Sequence, residues 1–249
     1  MVFLKKKMCF QDIIDLIAQE DDGRFHSKMA HRYSPTELTG CMRNSWFSRK
    51  FPVAYDRYSF RNFLLGNILH DVFQHKFKDK VFLEKLRKEL GIDVVFVDNE
   101  RAFQYLIPPH DCNNRRVIIS GRLDTIFYLR GEDVPYVVDY KSTANSKYNE
   151  NQAKLDHIKQ VNFYMGCTLS ERGSVVYIDK RNLHIVQHDI VFDLKLFDDV
   201  VNNAVLLDNA LSVDKCPVVD VDIMKNNGCC AYCKYKDMCK EEEEVLSCL

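Results

Sequence analysis

The chain has 249 residues, with 35 Lys+Arg against 36 Asp+Glu for a formal net charge of −1, and is 46% apolar, 12% aromatic and 29% charged. That is a globular composition, which excludes a disordered, collagen-like or low-complexity chain, and the neutral balance excludes coating of nucleic acid by bulk charge while leaving room for a local basic groove. No strictly apolar run exceeds five residues and the start, Met1-Val-Phe-Leu-Lys-Lys-Lys, lacks a secretory h-region, so no membrane span and a cytoplasmic setting are expected, in a host cell if the source is viral.

In chain order, Phe10 to Glu20 reads as an amphipathic helix carrying Ile13, Ile14, Leu16 and Ile17. Ser34-Pro35-Thr36-Glu37 starts the next: Ser34 caps, Pro35 fits the first helical position and Glu37 closes a capping box, with the helix running through Cys41 to about Arg49. A further helix covers Arg57 to Lys78, where Gly66, His70, Phe73 and Phe77 share one face, and Lys80 to Leu90 reads as another. The β-branched and aromatic runs Val94–Val97, Arg116–Ser120, Leu123–Leu129 and Tyr136–Ser142 read as strands, with Gly121 as a break between the second and third. A helix over Glu150–Glu171, strands Ser174–Asp179 and His184–Phe192 and a helix over Leu194–Leu211 follow, before an irregular, cysteine-rich tail from Cys216. This order predicts a mixed α/β core.

The sharpest local feature is Tyr136-Val-Val-Asp139-Tyr-Lys141-Ser142. Strand alternation sends Asp139 and Lys141 to the same face as Val137, with Val138 and Tyr140 on the other, as suits a sheet edge opening into a cleft. Gly121-Arg-Leu-Asp124 lies on the preceding strand, and a hairpin between the two would bring Asp124 beside Asp139. Two carboxylates beside a lysine suit Mg²⁺ or Mn²⁺, which take oxygen ligands, polarise a phosphodiester oxygen and acidify water. Lys141 would orient that water or neutralise charge on the pentavalent phosphate. An isolated Asp-x-Lys is also the pattern of a surface ion pair. His70 reads either as a ligand or as a satisfied core histidine. Gln160 and Tyr164, one helical turn apart, hold a phosphate or a base, or are a solvated amide and a core aromatic.

Taken together, His70 on its helix, Gly121-x-x-Asp124, Asp139-x-Lys141 and Gln160-x-x-x-Tyr164 stand in the order of the RecB-type nucleases of the PD-(D/E)XK superfamily, which the chain resembles. The resemblance implies a restriction-endonuclease-like core, a central mixed sheet flanked by helices. It implies metal ligation by His70, Asp124, Asp139 and the carbonyl of Tyr140. Lys141 becomes catalytic with Asp124 and Asp139, and Gln160 and Tyr164 contact DNA or support the site. Many members carry Glu where Asp139 stands.

Ten cysteines call for a separate account. Disulfides are the weaker reading for a chain of this length without an export signal. Cys9, Cys112, Cys167, Cys216, Cys229 and Cys248 read as bystanders, whereas Cys230-x-x-Cys233-x₅-Cys239 offers three thiolates to zinc or to an iron–sulfur cluster. Members of the RecB-like group such as the CRISPR-associated Cas-four exonucleases, the AddB subunit and exonuclease V carry one cysteine before the core and three after it. That resemblance assigns Cys41, Cys230, Cys233 and Cys239 to a 4Fe–4S cluster joining the two ends of the chain. The division expected is an N-terminal helical extension over 1–33, a nuclease core over 34–215 and a cysteine-rich segment with an acidic tail over 216–249.

The function expected is a Mn²⁺- or Mg²⁺-dependent DNA exonuclease acting on single-stranded ends, in CRISPR spacer acquisition with integrase partners. Stand-alone repair or recombination, or viral replication, are the other settings. A reading of another class is a non-catalytic nucleic-acid-binding module with a cysteine metal site. The stretch from Cys41 to Asn62 adds Arg43, Arg49, Lys50, Arg57 and Arg61 interleaved with aromatics, which either track a nucleic-acid backbone or form a helix pair with the aromatics in the core.

Overall fold

The computed structural model describes residues 13–17, 29–109, 115–144, 150–218, 230 and 233–240. Helices are α1 (13–17), α2 (Pro35–Thr39), α3 (Met42–Lys50), α4 (Arg57–Lys76), α5 (Lys80–Leu90), α6 (Leu155–Thr168), α7 (Leu194–Ser212) and α8 (236–240). The strands are β1 (Arg32–Tyr33), β2 (Val94–Ile107), β3 (Val117–Leu129), β4 (Tyr136–Thr143), β5 (Arg172–Asp179) and β6 (Ile185–Val191). They form one six-stranded sheet in the order β1-β3-β4-β5-β6, with β2 also paired to β3. The β4–β5 pairing is parallel and the β2–β3, β3–β4 and β5–β6 pairings are antiparallel. Helices cover both faces, so the expected α/β core with a mixed sheet is present.

The two faces have separate cores. Val137 and Val175 pack with Leu38, Val161, Phe163, Met165, Val200, Ala204 and Leu207 on the side of α2, α6 and α7. On the other side Val138, Tyr140, Val176 and Ile178 pack with Leu69 and Phe73 of α4. The strand alternation read from β4 therefore holds.

Three expectations need correction. The helix expected from Ser34 to Arg49 is two helices. Its capping box is present, with Glu37 N donating to Ser34 Oγ and Ser34 N to Glu37 Oε2, but Gly40 (φ −101°, ψ −152°) and Cys41 (φ −70°, ψ 118°) are extended. Tertiary partners compensate for the break: Ser45 Oγ donates to Glu37 O and Asn203 Nδ2 to Leu38 O. Second, Gly121 does not divide a strand. Thr125, Leu123, Gly121 and Ile119 pair in unbroken register with Asn99, Arg101, Phe103 and Tyr105, and the glycine admits Pro35 and the Phe103 ring, which a Cβ would meet at 3.2 and 3.3 Å. Third, the strand read at Val94–Val97 continues to Ile107. The polar run Asp98-Asn-Glu-Arg101 hid it, because it pairs to β3 with its side chains largely outside the core.

The basic, aromatic stretch resolves into structure. Arg43 is buried and donates to Cys239 O, Arg49 makes two hydrogen bonds to Glu37 and lies 4.3 Å from the Tyr33 ring centroid, and Arg61 donates twice to Asp15. Trp46, Phe47 and Phe60 are buried. Arg43, Arg49 and Arg61 thus already have carboxylate or carbonyl partners, whereas Phe51, Tyr55, Tyr58 and Arg57 are exposed, so the segment is core on one side and surface on the other. Arg115 and Lys180 are likewise tied down, to Asn209 Oδ1 and Asn62 O.

Candidate active site

The site follows from how β3 is shared. One edge of β3 pairs with β2 along its length, leaving a single edge for β1 at Ile118 and Ile119 and for β4 at Thr125 to Phe127. Between those contacts residues 120–124 face a notch. Antiparallel pairing of β3 with β4 ends at Thr125↔Val138, while β4 continues beside β5 to Thr143. At the fork, Asp124 Oδ2 takes the N–H of Tyr140 at 2.7 Å, replacing a backbone acceptor. An extended residue directs its carbonyl to the same side as its N–H, so Tyr140 presents its carbonyl to the notch. The edge expected along β4 is thus half an edge, with the strand central before Asp139 and open toward β3 after it.

Asp139 is 1% exposed, which removes the surface ion-pair reading. Lys141 Nζ lies 2.8 Å from Asp139 Oδ2, a buried ion pair. Lys141 Nζ also donates to Gln160 Oε1 at 2.9 Å, and Gln160 Nε2 donates to Tyr164 Oη at 2.8 Å. Gln160 is 6% exposed and Tyr164 buried, so α6 supplies a relay that aims the lysine. The i, i+4 spacing accounts for their contact. Alternation on β4 and one turn of α6 thus assemble Asp139, Lys141, Gln160 and Tyr164 on the α6 face.

His70 approaches from α4. Its ring lies 5.7 Å from that of Tyr140, and Nδ1 is 3.7 Å from Asp124 Oδ2. Phe73, one turn on, stacks on Tyr140 at 5.6 Å. Gly66 lets α4 come close to β4, since a Cβ there would stand 3.0 Å from Ser142 Oγ. That neighbour, Ser142, follows the lysine on β4.

Electrostatics follow from burial and crowding. Burial, then repulsion from Asp139, raises the Asp124 carboxyl well above the usual carboxylate range, against Lys141 and the Tyr140 N–H, which lower it. Burial opposes the charge on Lys141, yet Asp139 and Asp124 outweigh it and raise its pKa, so the ammonium persists at neutral pH. Burial pushes His70 down despite the attraction of Asp139, leaving a neutral imidazole able to act as a ligand.

Glu100 was not anticipated. It lies on β2 at φ 54°, between the register pairs Asn99↔Thr125 and Arg101↔Leu123 and so beside Asp124. A non-glycine residue at such φ costs about 1–3 kcal/mol. His70, Glu100 and Asp124 bring one ligand atom each within 4.8 Å of one another. Reading β2 through its polar run would have placed Glu100 opposite Asp124. A divalent cation fits this donor set, since an imidazole and carboxylates suit a hard or borderline metal.

The cysteines lie elsewhere. Cys41 precedes α3, and residues 233–240 fold onto that helix: Tyr235 stacks on Phe47 at 5.7 Å, Tyr235 Oη donates to Phe51 O, and Cys233 Sγ lies 3.8 Å from Asn44 Oδ1. Cys230 O accepts from Cys233 N. None of the six described cysteines is in a disulfide. Burial pushes Cys167 up to about 12 and Cys216 is buried, while Cys9, Cys112, Cys229 and Cys248 lie outside the described residues.

Among the described residues no helix is long and apolar enough to cross a membrane. No curated protein matches the sequence. Among solved structures, the chain resembles the crystal structure of SSO0001 with a TM-score of 0.60 at 18% identity, over 93% of this chain and 96% of that one, a likeness of fold. It overlaps more loosely a phage-related exonuclease from Haemophilus somnus 129PT (TM-score 0.43, 11% identity, 74% of this chain and 96% of that one). An alkaline exonuclease from Laribacter hongkongensis overlaps similarly (TM-score 0.39, 10% identity, 80% and 93%). A family model, the PD-(D/E)XK nuclease superfamily, matches residues 23–240, nearly the whole described fold, and the chain therefore belongs to that superfamily.

Proposed function

We propose that this nuclease is a divalent-metal-dependent DNA exonuclease that works from single-stranded ends. The observation that carries the reading is the fork between β3 and β4, where Asp124 and Asp139 converge beside a lysine aimed by Gln160. His70, Asp124, Asp139 and the Tyr140 carbonyl are the proposed holders of Mg²⁺ or Mn²⁺. When bound, the cation supplies Lewis acidity toward a phosphodiester oxygen and acidifies water. The chain's own residues do the rest. Lys141 keeps its positive charge at the notch and neutralises charge that develops on the phosphate. Gln160, held by Tyr164, fixes the rotamer of Lys141, and Tyr164 closes the far side of the relay without ionising, since burial raises its pKa.

Within this reading Cys41, Cys230, Cys233 and Cys239 carry a 4Fe–4S cluster of the Cas-four type. Contact between the two cysteine-bearing segments through Arg43, Phe47 and Tyr235 supports it, as does the thiolate donor set. The role proposed is spacer trimming in CRISPR adaptation beside an integrase in the cytoplasm, with repair or viral replication as the competing settings. The division at 33/34 and 215/216 belongs to the same proposal, although Arg32 and Tyr33 already contribute β1 to the sheet.

End-labelled linear DNA, single-stranded and duplex, tests the activity with Mn²⁺, with Mg²⁺ and with EDTA. The expectation is nucleotide release from single-stranded ends that EDTA abolishes and that circular substrates resist. Asp139→Ala and Lys141→Ala should each lower kcat/KM by about 10²-fold or more. Undiminished cleavage by both rejects the site, and salt-sensitive binding without cleavage under any divalent metal favours a non-catalytic binding module. Brown, iron-containing protein after anaerobic purification is expected, and colourless protein with stoichiometric zinc rejects the iron assignment.

A further inference from the structure

Of the groups around the notch, Glu100 is the one that the four motifs leave without a role. It comes from β2, the strand on the opposite edge of β3 from β4, and it reaches the same space as His70 and Asp124, the ligand atoms of the three lying within 4.8 Å of one another. Its backbone, at φ 54° inside a strand, departs from the pleat.

Its carboxylate is also held. Gln74, buried on α4 one turn beyond His70, donates from Nε2 to Glu100 Oε1 at 2.8 Å and to the carbonyl of Asp124 at 3.1 Å. The Gln74 backbone carbonyl accepts from Asn99 Nδ2, and Asn99 Oδ1 accepts from Thr125 Oγ1. An amide that holds one oxygen of a carboxylate fixes its direction and leaves the other oxygen available, the arrangement by which outer groups orient metal ligands. Arg122 Nη1 is 3.7 Å from that second oxygen, on the exposed side.

We infer that Glu100 is a further side-chain ligand of the divalent cation, oriented by Gln74, so that β2 as well as β3, β4 and α4 contributes to the metal site. This rests on the proposed metal-dependent nuclease. A bland alternative is that Glu100 serves an ion pair with Arg122. The two differ in what happens to metal binding when only the charge of Glu100 is removed.

The test is Mn²⁺ binding to the full chain stripped with EDTA, followed by the electron paramagnetic resonance of free Mn²⁺, with no substrate present. Glu100→Gln retains an oxygen for Gln74 and is expected to weaken Mn²⁺ binding about tenfold or more. His70→Gln calibrates the assay with a comparable loss, and Arg122→Ala is expected to leave binding within about twofold of wild type. Circular dichroism and thermal melts in EDTA check that each variant folds, and Glu100→Asp, which keeps the charge, should recover part of the affinity. Glu100→Gln within twofold of wild type while His70→Gln loses binding overturns the inference and leaves the nuclease reading intact. Wild-type protein that neither binds Mn²⁺ nor cleaves DNA overturns the reading beneath it.

Discussion

His157 shows how one side chain near the site ties stability to pH. Its Nδ1 lies 2.8 Å from Tyr177 Oη, and Tyr177 Oη accepts the N–H of Lys154, so the tyrosine has its own proton to give to a neutral imidazole. Burial and the positive Lys141 push His157 down to about 4, against the pull of Asp156 and Asp139. The folded state therefore binds fewer protons than the unfolded chain between that value and the ordinary histidine pKa of about 6.5. Its contribution is complete above about pH 6.5 and is lost as pH falls toward 4, on the order of 2 kcal/mol between pH 7 and pH 5. Urea unfolding at those two pH values checks it, and His157→Gln should flatten the slope. At this scale the sequence was informative where periodicity sufficed. Alternation paired Asp139 with Lys141, and an i, i+4 step paired Gln160 with Tyr164. Glu100 and Gln74 escaped because their meeting depends on the packing of α4 beside β2 and β3.

Among the helices, close approach is decided by single glycines. A Cβ on Gly166 of α6 would stand 2.3 Å from the Phe197 ring of α7, whereas one on Gly40 would meet nothing within 4 Å. Gly166→Ala should therefore destabilise the fold by about 1–3 kcal/mol through forced displacement of Phe197, which stacks on Phe163 at 5.3 Å. Gly40→Ala, at an extended φ of −101° open to any residue, should change the unfolding midpoint little. Chemical denaturation of both variants separates packing from backbone effects. The capping box at Ser34 was readable because it is local, but the break at Gly40 and Cys41 was not, since its compensation comes from Asn203, far along the chain. Gly121 reads as a break from sequence for the same reason: Pro35 and Phe103 fill its missing side chain only after folding.

Across the whole molecule, the segment after α7 returns to α3 and completes the core there. Tyr235 is buried against Phe47, and its hydroxyl donates to Phe51 O. Tyr235→Ala should cost about 3 kcal/mol in urea unfolding, by loss of a buried ring and its hydrogen bond. A loss below about 1 kcal/mol would show that this end contributes little without a metal.

The order of elements, the facing of β4 and the motif spacing were set by short-range rules, because strand alternation and helical turns act over a few residues. The notch was not. It exists because β1 and β4 share one edge of β3 and leave residues 120–124 between them, an outcome of long-range pairing. The neighbours of Asp124, the place of Glu100 and the contact between the two cysteine-bearing segments were likewise decided by tertiary structure. Burial and proximity between residues distant in sequence have no signature in local periodicity.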